Sequence, residues 1–174
     1  MKRWLAWALA WVLALTAPPA LAAQYAVPGL FRLTYDETSL TLDDETYADD
    51  CTTDRQWLLM LYDKQRIVDV SLLPLTIRTP DLAQATPDEQ IAYVADMLDS
   101  YGDSRIQFLC VLPGGNLPFY LFRLEDEEGE YLLAEAVQDG KALDLTAYYR
   151  DVRQPADAAL TVFFSRLLQG ISAD

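Results

Sequence analysis

The chain contains no histidine among its 174 residues. This absence excludes catalytic triads with a histidine base, zinc sites with imidazole ligands and imidazole acid–base catalysis. The two cysteines, Cys51 and Cys110, are too far apart to form a C-x-x-C redox motif. The paired glycines of "VLPGGNLP" (111–118) lack the lysine of a phosphate-binding loop, so this stretch predicts a hairpin turn. We therefore expect no catalytic residue, no metal ligand and no cofactor.

Long hydrophobic runs are also missing after the first segment. The chain begins "MKRWLAWALAWVLALTAPPALAAQ", in which two basic residues precede an uncharged run over 4–17 and "ALA" supplies the small residues of a cleavage site. This order is typical of a secretory signal peptide. An uncleaved anchor would need about 20 apolar residues, which is longer than this run. We expect residues 1–22 to be removed and 23–174 to be exported to an extracellular, cell-envelope or periplasmic location, with no membrane span after cleavage.

Positive charge is scarce as well. The chain has 13 lysine and arginine residues against 27 acidic residues, and its formal net charge is −14. Two of the basic residues lie in the predicted signal peptide, so the mature chain would be more acidic still. Such a surface cannot neutralise phosphates, which excludes nucleic acid and anionic membranes as partners. We expect the partner to be a protein or a glycan at the cell surface.

The two cysteines are expected to pair with each other. An exported chain folds in an oxidising compartment, which favours a disulfide between Cys51 and Cys110. Two buried free thiols are the alternative, because free cysteine is common in protein cores.

The apolar patterns predict an α+β fold for a single domain over 23–174. Short turns separate most strand candidates, which favours a mainly antiparallel sheet of about six to eight strands. The second candidate is expected to pair with the first, and the short "DKQ" predicts a hairpin between the third and fourth. The strand candidates are 30–36, 39–42, 55–63, 66–75, 105–112, 117–125, 130–137 and 142–149.

Two amphipathic helices are expected to pack on this sheet. In "TPDEQIAYVADMLDSYG" (86–102), Thr86 and Glu89 have the spacing of a capping box. The second helix, "PADAALTVFFSRLLQG" (155–170), has a broad apolar stripe and ends at Gly170. The apolar face predicted for the first helix comprises Ile91, Val94, Ala95, Leu98 and Tyr101.

The stretch "LDDETYADDC" (42–51) is the main candidate for cation binding. Calcium loops usually alternate their acidic ligands and include a glycine for the turn. Here the acids come in doublets, and no glycine occurs from 30 to 101. We therefore expect a solvated loop beside Cys51, and likewise a solvated hairpin tip at "EDEEGE" (125–130). The five carboxylates of the stretch are Asp43, Asp44, Glu45, Asp49 and Asp50.

The neighbouring tyrosines Tyr148 and Tyr149 are the other candidates for a binding surface. In a strand, adjacent side chains point to opposite faces, so one of the two must face away from the core. Exposed tyrosine is common where proteins contact other proteins or sugars. Tyrosine also favours strands on half-buried surfaces, which is the simpler interpretation.

The order of the elements resembles that of PsbP-like domains, the fold of extrinsic photosystem II proteins and of many small exported bacterial proteins. The resemblance is carried by "VPGLFRLTYD", the following meander of strands, "EEGEYLLAEAV" and the terminal helix "TVFFSRLLQGI". It covers most of 27–171 and implies an α/β/α sandwich around an antiparallel sheet. It also implies a binding or assembly role rather than catalysis. Metal sites in that family commonly involve histidine, so the resemblance implies no metal here.

These observations together predict a secreted, non-catalytic binding or assembly domain. One alternative is a carboxylate-dependent glycan hydrolase, which would need two acids held at a set distance in a cleft. With 27 acidic residues, some pair will meet that distance, so composition does not support this alternative. The other alternative is a calcium-modulated adhesion module that uses residues 43–50.

The predicted disulfide has a measurable consequence for stability. Closing a loop of roughly 60 residues would stabilise the folded chain by about 4 kcal/mol on the chain-entropy model. We expect Cys110→Ser, or reduction of the parent, to lower the free energy of unfolding in urea by up to about that amount. Equal stability of the parent with and without reductant would contradict the pairing.

Overall fold

The computed structural model describes residues 22–45, 55–75, 81–101 and 105–174. These residues form ten strands and two helices. In chain order the elements are β1 (Ala22–Val27), β2 (Phe31–Asp36), β3 (Thr41–Asp43), β4 (Gln56–Tyr62), β5 (Arg66–Pro74), α1 (Pro87–Ser100), β6 (Arg105–Gly114), β7 (Leu117–Glu125), β8 (Glu130–Gln138), β9 (Lys141–Tyr149), α2 (Ala158–Gln169) and β10 (Ile171–Ala173).

The strands form two antiparallel sheets. The larger sheet has seven strands in the order β3-β4-β5-β9-β8-β7-β6, and the smaller has three in the order β1-β2-β10. The predicted α+β class and the mainly antiparallel pairing are therefore confirmed. The sequence patterns missed β1 and β10, which flank β2 in the smaller sheet. β10 has only three residues, too few for alternation to be recognised.

One predicted pairing is wrong. The segment after β2 was expected to pair with it, but β3 pairs with β4, with Thr41 opposite Tyr62. The physical reason is that β2 already has a neighbour on each side, β1 and β10, in the smaller sheet. The predicted β4–β5 hairpin is confirmed, since Tyr62 lies opposite Ile67.

The two faces of the seven-stranded sheet bury two separate apolar clusters. Alternation along β7 shows this: Phe119 and Leu121 join the cluster beneath α2 and the smaller sheet, while Tyr120 and Phe122 join the cluster beneath α1. The two helices therefore lie on opposite faces of the sheet. This is the α/β/α arrangement that the resemblance implied.

Helix α2 ends at Gly170, as the sequence predicted, and begins at Ala158, three residues after the start of the predicted stretch 155–170. The Asp157 carboxylate caps the helix by accepting from the Leu160 N–H at 2.9 Å. Gly170 ends the helix with φ of −81°, so a left-handed conformation is not the reason for glycine. A Cβ at Gly170 would collide with the Thr34 carbonyl oxygen. Glycine instead allows β2 to approach closely enough for the Thr34 N–H to donate to the Gly170 carbonyl at 2.8 Å.

Helix α1 has the predicted capping box, but its predicted apolar face is only partly right: Val94 and Tyr101 pack against the apolar cluster, while Ala95 is exposed. Thr86 and Glu89 cap each other reciprocally. Ile91 and Leu98, however, are 68% and 40% exposed, and the buried residue of this helix is Tyr93. The Tyr93 ring packs edge-on against Tyr120 of β7, with 5.1 Å between ring centroids. Burying this large ring, with a partner for its hydroxyl, decides how the helix is rotated.

Several predictions concern residues outside the described part of the chain. The signal peptide falls almost wholly outside it, and so does Cys51. Cys110 lies half-buried in β6, and no disulfide joins two described residues. The cleavage and the Cys51–Cys110 bridge therefore stay predictions. None of the described helices has the length and apolar character needed to cross a bilayer.

The packing of α2 predicts the cost of truncating its central aromatic residue. Phe164 is fully buried between the sheets, whereas Val162 on the same helix is half-exposed. We expect Phe164→Ala to lower the free energy of unfolding by about 3–5 kcal/mol, and Val162→Ala by much less. Urea denaturation of both variants measures the difference. Similar losses for the two would show that α2 is not packed as described.

Candidate functional site

The face of the seven-stranded sheet that carries α1 is covered only in part. Beyond α1, an open cleft of about 430 Å³ lies between the strands and the turn that joins β7 to β8. We call it the aromatic cleft, because five of its lining residues are aromatic: Trp57, Tyr101, Tyr131, Tyr148 and Tyr149. The charged residues that line it are Arg55, Asp69, Asp126, Glu128 and Glu130.

The register of three central strands builds the floor of the cleft. Thr146 of β9 lies opposite Asp69 of β5 on one side and Leu133 of β8 on the other. Because side chains alternate along a strand, all three point into the cleft. Tyr148, two residues beyond Thr146, continues this face. Tyr149 also borders the cleft, but it is buried in the cluster on the opposite face of the sheet. The expectation that one of the two tyrosines faces away from the core is confirmed.

One row deeper, the same strands carry a buried carboxyl pair. Asp144 of β9 lies opposite Glu135 of β8 and Ser71 of β5. Glu135 is 6% exposed and Asp144 is 2% exposed. Their carboxyl groups are hydrogen-bonded to each other. Buried acids are rare unless they are paired, so this pair needs compensating partners.

Those partners come from a helix and from the residue before β4. The Tyr93 hydroxyl of α1 donates to Glu135 Oε1. Arg55 forms an ion pair with Asp144 Oδ2 at 2.8 Å and also donates to the Ser71 hydroxyl at 2.9 Å. Within the described chain, no N–H or hydroxyl group reaches the buried Asp144 Oδ1. A hydrogen bond between two carboxyl groups requires a proton on one of them, and the raised pKa of Glu135 assigns that proton to Glu135.

The electrostatics agree with a proton held on Glu135. Burial raises the pKa of Glu135 well above 4.5, and the neighbouring Asp144 raises it further, whereas Tyr93 and Arg55 act in the opposite direction. Burial, as the main cause, and the charge of Asp144 also raise the pKa of Tyr93. The pair therefore carries one negative charge, which the guanidinium of Arg55 balances.

The buried pair does not offer a carboxylate to the cleft. Arg55 lies between the buried pair and the cleft: it contacts Asp144 on one side and lines the cleft on the other. Glycosidases hold their two carboxyl groups about 5 Å or more apart, with the scissile bond between them. Glu135 and Asp144 bond to each other directly, which leaves no room for a substrate. This pair gives no support to the hydrolase alternative.

The wall of the cleft is an acidic turn, and Tyr131 is hydrogen-bonded to one of its carboxylates. Asp126 Oδ1 accepts from the backbone N–H groups of Glu128 at 2.8 Å and Gly129 at 3.2 Å. The Tyr131 side chain is hydrogen-bonded to Asp126; burial, this bond and the nearby negative charges raise the pKa of Tyr131 to about 12. On the floor, the Tyr148 hydroxyl donates to Asp69 Oδ2 at 2.7 Å. The aromatic cleft is thus a site of negative potential.

The predicted cation candidates are only partly described. Asp43 Oδ1 accepts from the Glu45 N–H at 3.1 Å, while Asp44 is hydrogen-bonded to Tyr25. The two acids of this doublet thus point to different partners. Asp49 and Asp50 lie outside the described residues. In the described segments, no group of three or more acidic or cysteine side chains could hold a metal ion, and the calcium alternative stays a prediction.

Sequence reasoning missed Glu135, Asp144 and the aromatic cleft itself. A signal was present for the pair: each acid stands alone within an apolar strand, in "LLAEAV" and "ALDLTAYY". An acid at such a position is buried on two-sided sheets and must find a partner. No comparable sequence signal indicated that "EDEEGE" borders a cleft. Its hairpin tip is confirmed, but only the fold shows that it borders the cleft.

The proton on Glu135 predicts an unusual pH dependence. A group whose folded pKa is raised stabilises the fold fully below its unfolded pKa, and this contribution is lost as pH rises through the folded pKa. Glu135→Gln can still donate to Asp144 and accept from Tyr93 without titrating. We expect the variant to gain stability relative to the parent as pH rises above about 4.5.

Urea unfolding of the parent and of Glu135→Gln from about pH 4 to pH 8 measures this difference, because the other carboxyls cancel in the comparison. Tyr93→Phe is the companion variant. It leaves a buried oxygen without its donor and should cost about 1–3 kcal/mol. A stability difference between Glu135→Gln and the parent that does not change with pH would contradict a shared proton.

Comparison with known proteins identifies the fold and not a family. No family model matches the chain, and no curated protein matches it. Among solved structures, the chain is similar to the solution structure of the cyanobacterial PsbP protein CyanoP from Synechocystis sp. PCC 6803. The TM-score is 0.53 at 11% sequence identity, and the match covers 91% of this chain and 96% of that one. The chain therefore has a PsbP-like fold.

Proposed function

We propose that residues 23–174 form an exported, non-catalytic binding domain, and that a partner macromolecule binds in the aromatic cleft. The observation that carries this proposal is the cleft itself. Its volume of about 430 Å³ lies within the range of about 300–1,000 Å³ that is usual for ligand sites. Trp57, Tyr131 and Tyr148 line it, and such rings, apolar with one polar tip, are enriched where proteins contact partners.

The construction of the cleft also suits binding. Its floor consists of three hydrogen-bonded central strands, and the buried Glu135–Asp144 pair supports that floor from one row below. A site on rigid strands loses little conformational freedom when a partner binds. The affinity for the partner would come from contacts with the rings and with the carboxylates of the wall.

A catalytic role has less support. The acid with the strongly raised pKa, Glu135, is the usual kind of candidate for acid–base catalysis. Here its oxygens are engaged by Tyr93 and Asp144, and Arg55 separates the pair from the cleft. A general acid must reach its substrate directly or through one water. We therefore assign the pair to support of the fold.

Export and assembly rest on separate grounds. The three-part pattern of residues 1–22 supports export. The solved neighbour, CyanoP, shares only the fold with this chain. A PsbP-like fold is compatible with an assembly role, and the aromatic cleft supplies a place where a partner could bind.

Site-specific photo-crosslinking in the native host tests the proposal. Val152 borders the cleft and is 57% exposed, whereas Val162 lies on α2, remote from the cleft, and is 52% exposed. A photo-reactive phenylalanine analogue at position 152 should give a discrete covalent adduct with a cellular macromolecule. The same analogue at position 162 is the matched control and should not.

Two results would count against the proposal. Equal adducts from positions 152 and 162, or none from either, would show that the cleft is not a preferred contact surface. Turnover of a glycan substrate that Asp69→Asn abolishes in a folded protein would replace the binding role with a hydrolytic one.

A further inference from the structure

We propose that the partner segment in the aromatic cleft is basic: a stretch of polypeptide that places lysine or arginine side chains between the tyrosine rings and the acidic turn. This inference rests on the proposed function and names the chemistry of the partner. Three properties of the cleft support it: unneutralised acids on its wall, a cation inside it that is already paired, and rings suited to cations.

The acids of the wall lack cationic partners. At the β7–β8 hairpin, Arg105 pairs with Glu125 at 3.0 Å. No lysine or arginine of the described chain forms an ion pair with Asp126, Glu127 or Glu128, which follow Glu125 directly. An anionic or neutral partner would take water from these carboxylates without neutralising them, which is costly. A basic partner would offset that cost.

Arg55, the cation that lines the cleft, does not argue against a basic partner. Arg55 lines the cleft, but its guanidinium is held by Asp144 at 2.8 Å and by the Ser71 hydroxyl at 2.9 Å. Its charge balances the single negative charge of the buried carboxyl pair. The charge that a partner meets at the wall of the cleft is therefore set by the acidic turn.

The rings stand beside these carboxylates. Tyr131 is hydrogen-bonded to Asp126, and the Tyr148 hydroxyl donates to Asp69. Each hydroxyl is thereby fixed, so each ring is held next to a negative charge. An ammonium or guanidinium group within about 6 Å of such a ring gains attraction from the ring as well as from the carboxylate. This combination discriminates between a basic side chain and a sugar hydroxyl.

The distribution of charge favours a segment with several basic residues. Asp126 and Glu128 both line the cleft, so a segment with several basic residues can place a cation near each of them. The formal net charge of −14 adds long-range attraction for any basic chain and speeds its encounter.

Fluorescence anisotropy with synthetic peptides tests the inference on the exported protein purified from its host. The probe is a labelled peptide of alternating lysine and alanine, and the comparison peptides carry serine or glutamate in place of lysine. We expect the lysine peptide to bind more tightly than either, and its affinity to fall as salt is added. If residues 1–22 are removed, Trp57 is the one remaining tryptophan, so its emission should change on binding.

A matched pair of variants separates the cleft from general attraction. Glu128 lines the cleft, whereas Glu127, its neighbour on the same turn, is exposed and does not line it. Glu128→Gln and Glu127→Gln change the net charge equally. We expect Glu128→Gln to weaken binding of the lysine peptide about two- to five-fold, and Glu127→Gln to change it far less.

The outcomes that would overturn the inference are distinct from those that test the binding role. Equal weakening by the two variants would show diffuse attraction to an acidic surface. Tighter binding of the serine peptide, of spermine or of a neutral oligosaccharide would identify a different ligand chemistry. If position 152 still crosslinks a partner in any of these cases, the proposed binding function stands while the basic segment is rejected.

Discussion

The hydrogen bond between Glu135 and Asp144 is the interaction on which the centre of this structure depends. It joins β8 to β9 through side chains, and its partners bring in β5 through Ser71, the start of β4 through Arg55 and α1 through Tyr93. Two ionised carboxylates could not remain in contact there, because their repulsion would add to the cost of burial. One proton and one guanidinium make the arrangement stable, and removal of either leaves an uncompensated charge.

The same network divides one face of the sheet into two parts. On one side of it, α1 covers an apolar cluster around Tyr120 and Phe122. On the other side, Thr146 lies on the floor of the cleft, next to Leu133 of that cluster. The polar groups of the network bond to each other and thereby fix the position of α1. The groups that a ligand in the cleft would contact are therefore the rings and the acidic wall. A structural role for the most strongly perturbed acid thus follows from its contacts.

Local pattern predicted nearly all of the larger sheet and both helices, because each depends on alternation, turns and caps within a few residues of sequence. It failed where the structure depends on contacts between residues that are far apart in the sequence. The rotation of α1 is set by Tyr120 and Glu135, far from Tyr93 in sequence, so the face with Ile91 and Leu98 was chosen wrongly. The pairing of β3 was predicted wrongly because β1 and β10, which pair with both edges of β2, show little apolar alternation in the sequence. The cleft could not be predicted, since it forms between strands 50 residues or more apart in the sequence, such as those of Trp57 and Tyr131.

Charge is the property that connects the sequence to the cleft. In the composition of the chain, an excess of acidic residues indicates only which classes of partner would be repelled. The fold converts part of that excess into a local feature by placing Asp126 and Glu128 beside Tyr131 and placing Asp69 beneath Tyr148. Among the described residues, Arg55 is the arginine that lines the cleft, and it is paired with Asp144. No lysine or arginine of the described residues forms an ion pair with Asp126 or Glu128, so the proposed basic segment would supply the cation that neutralises them.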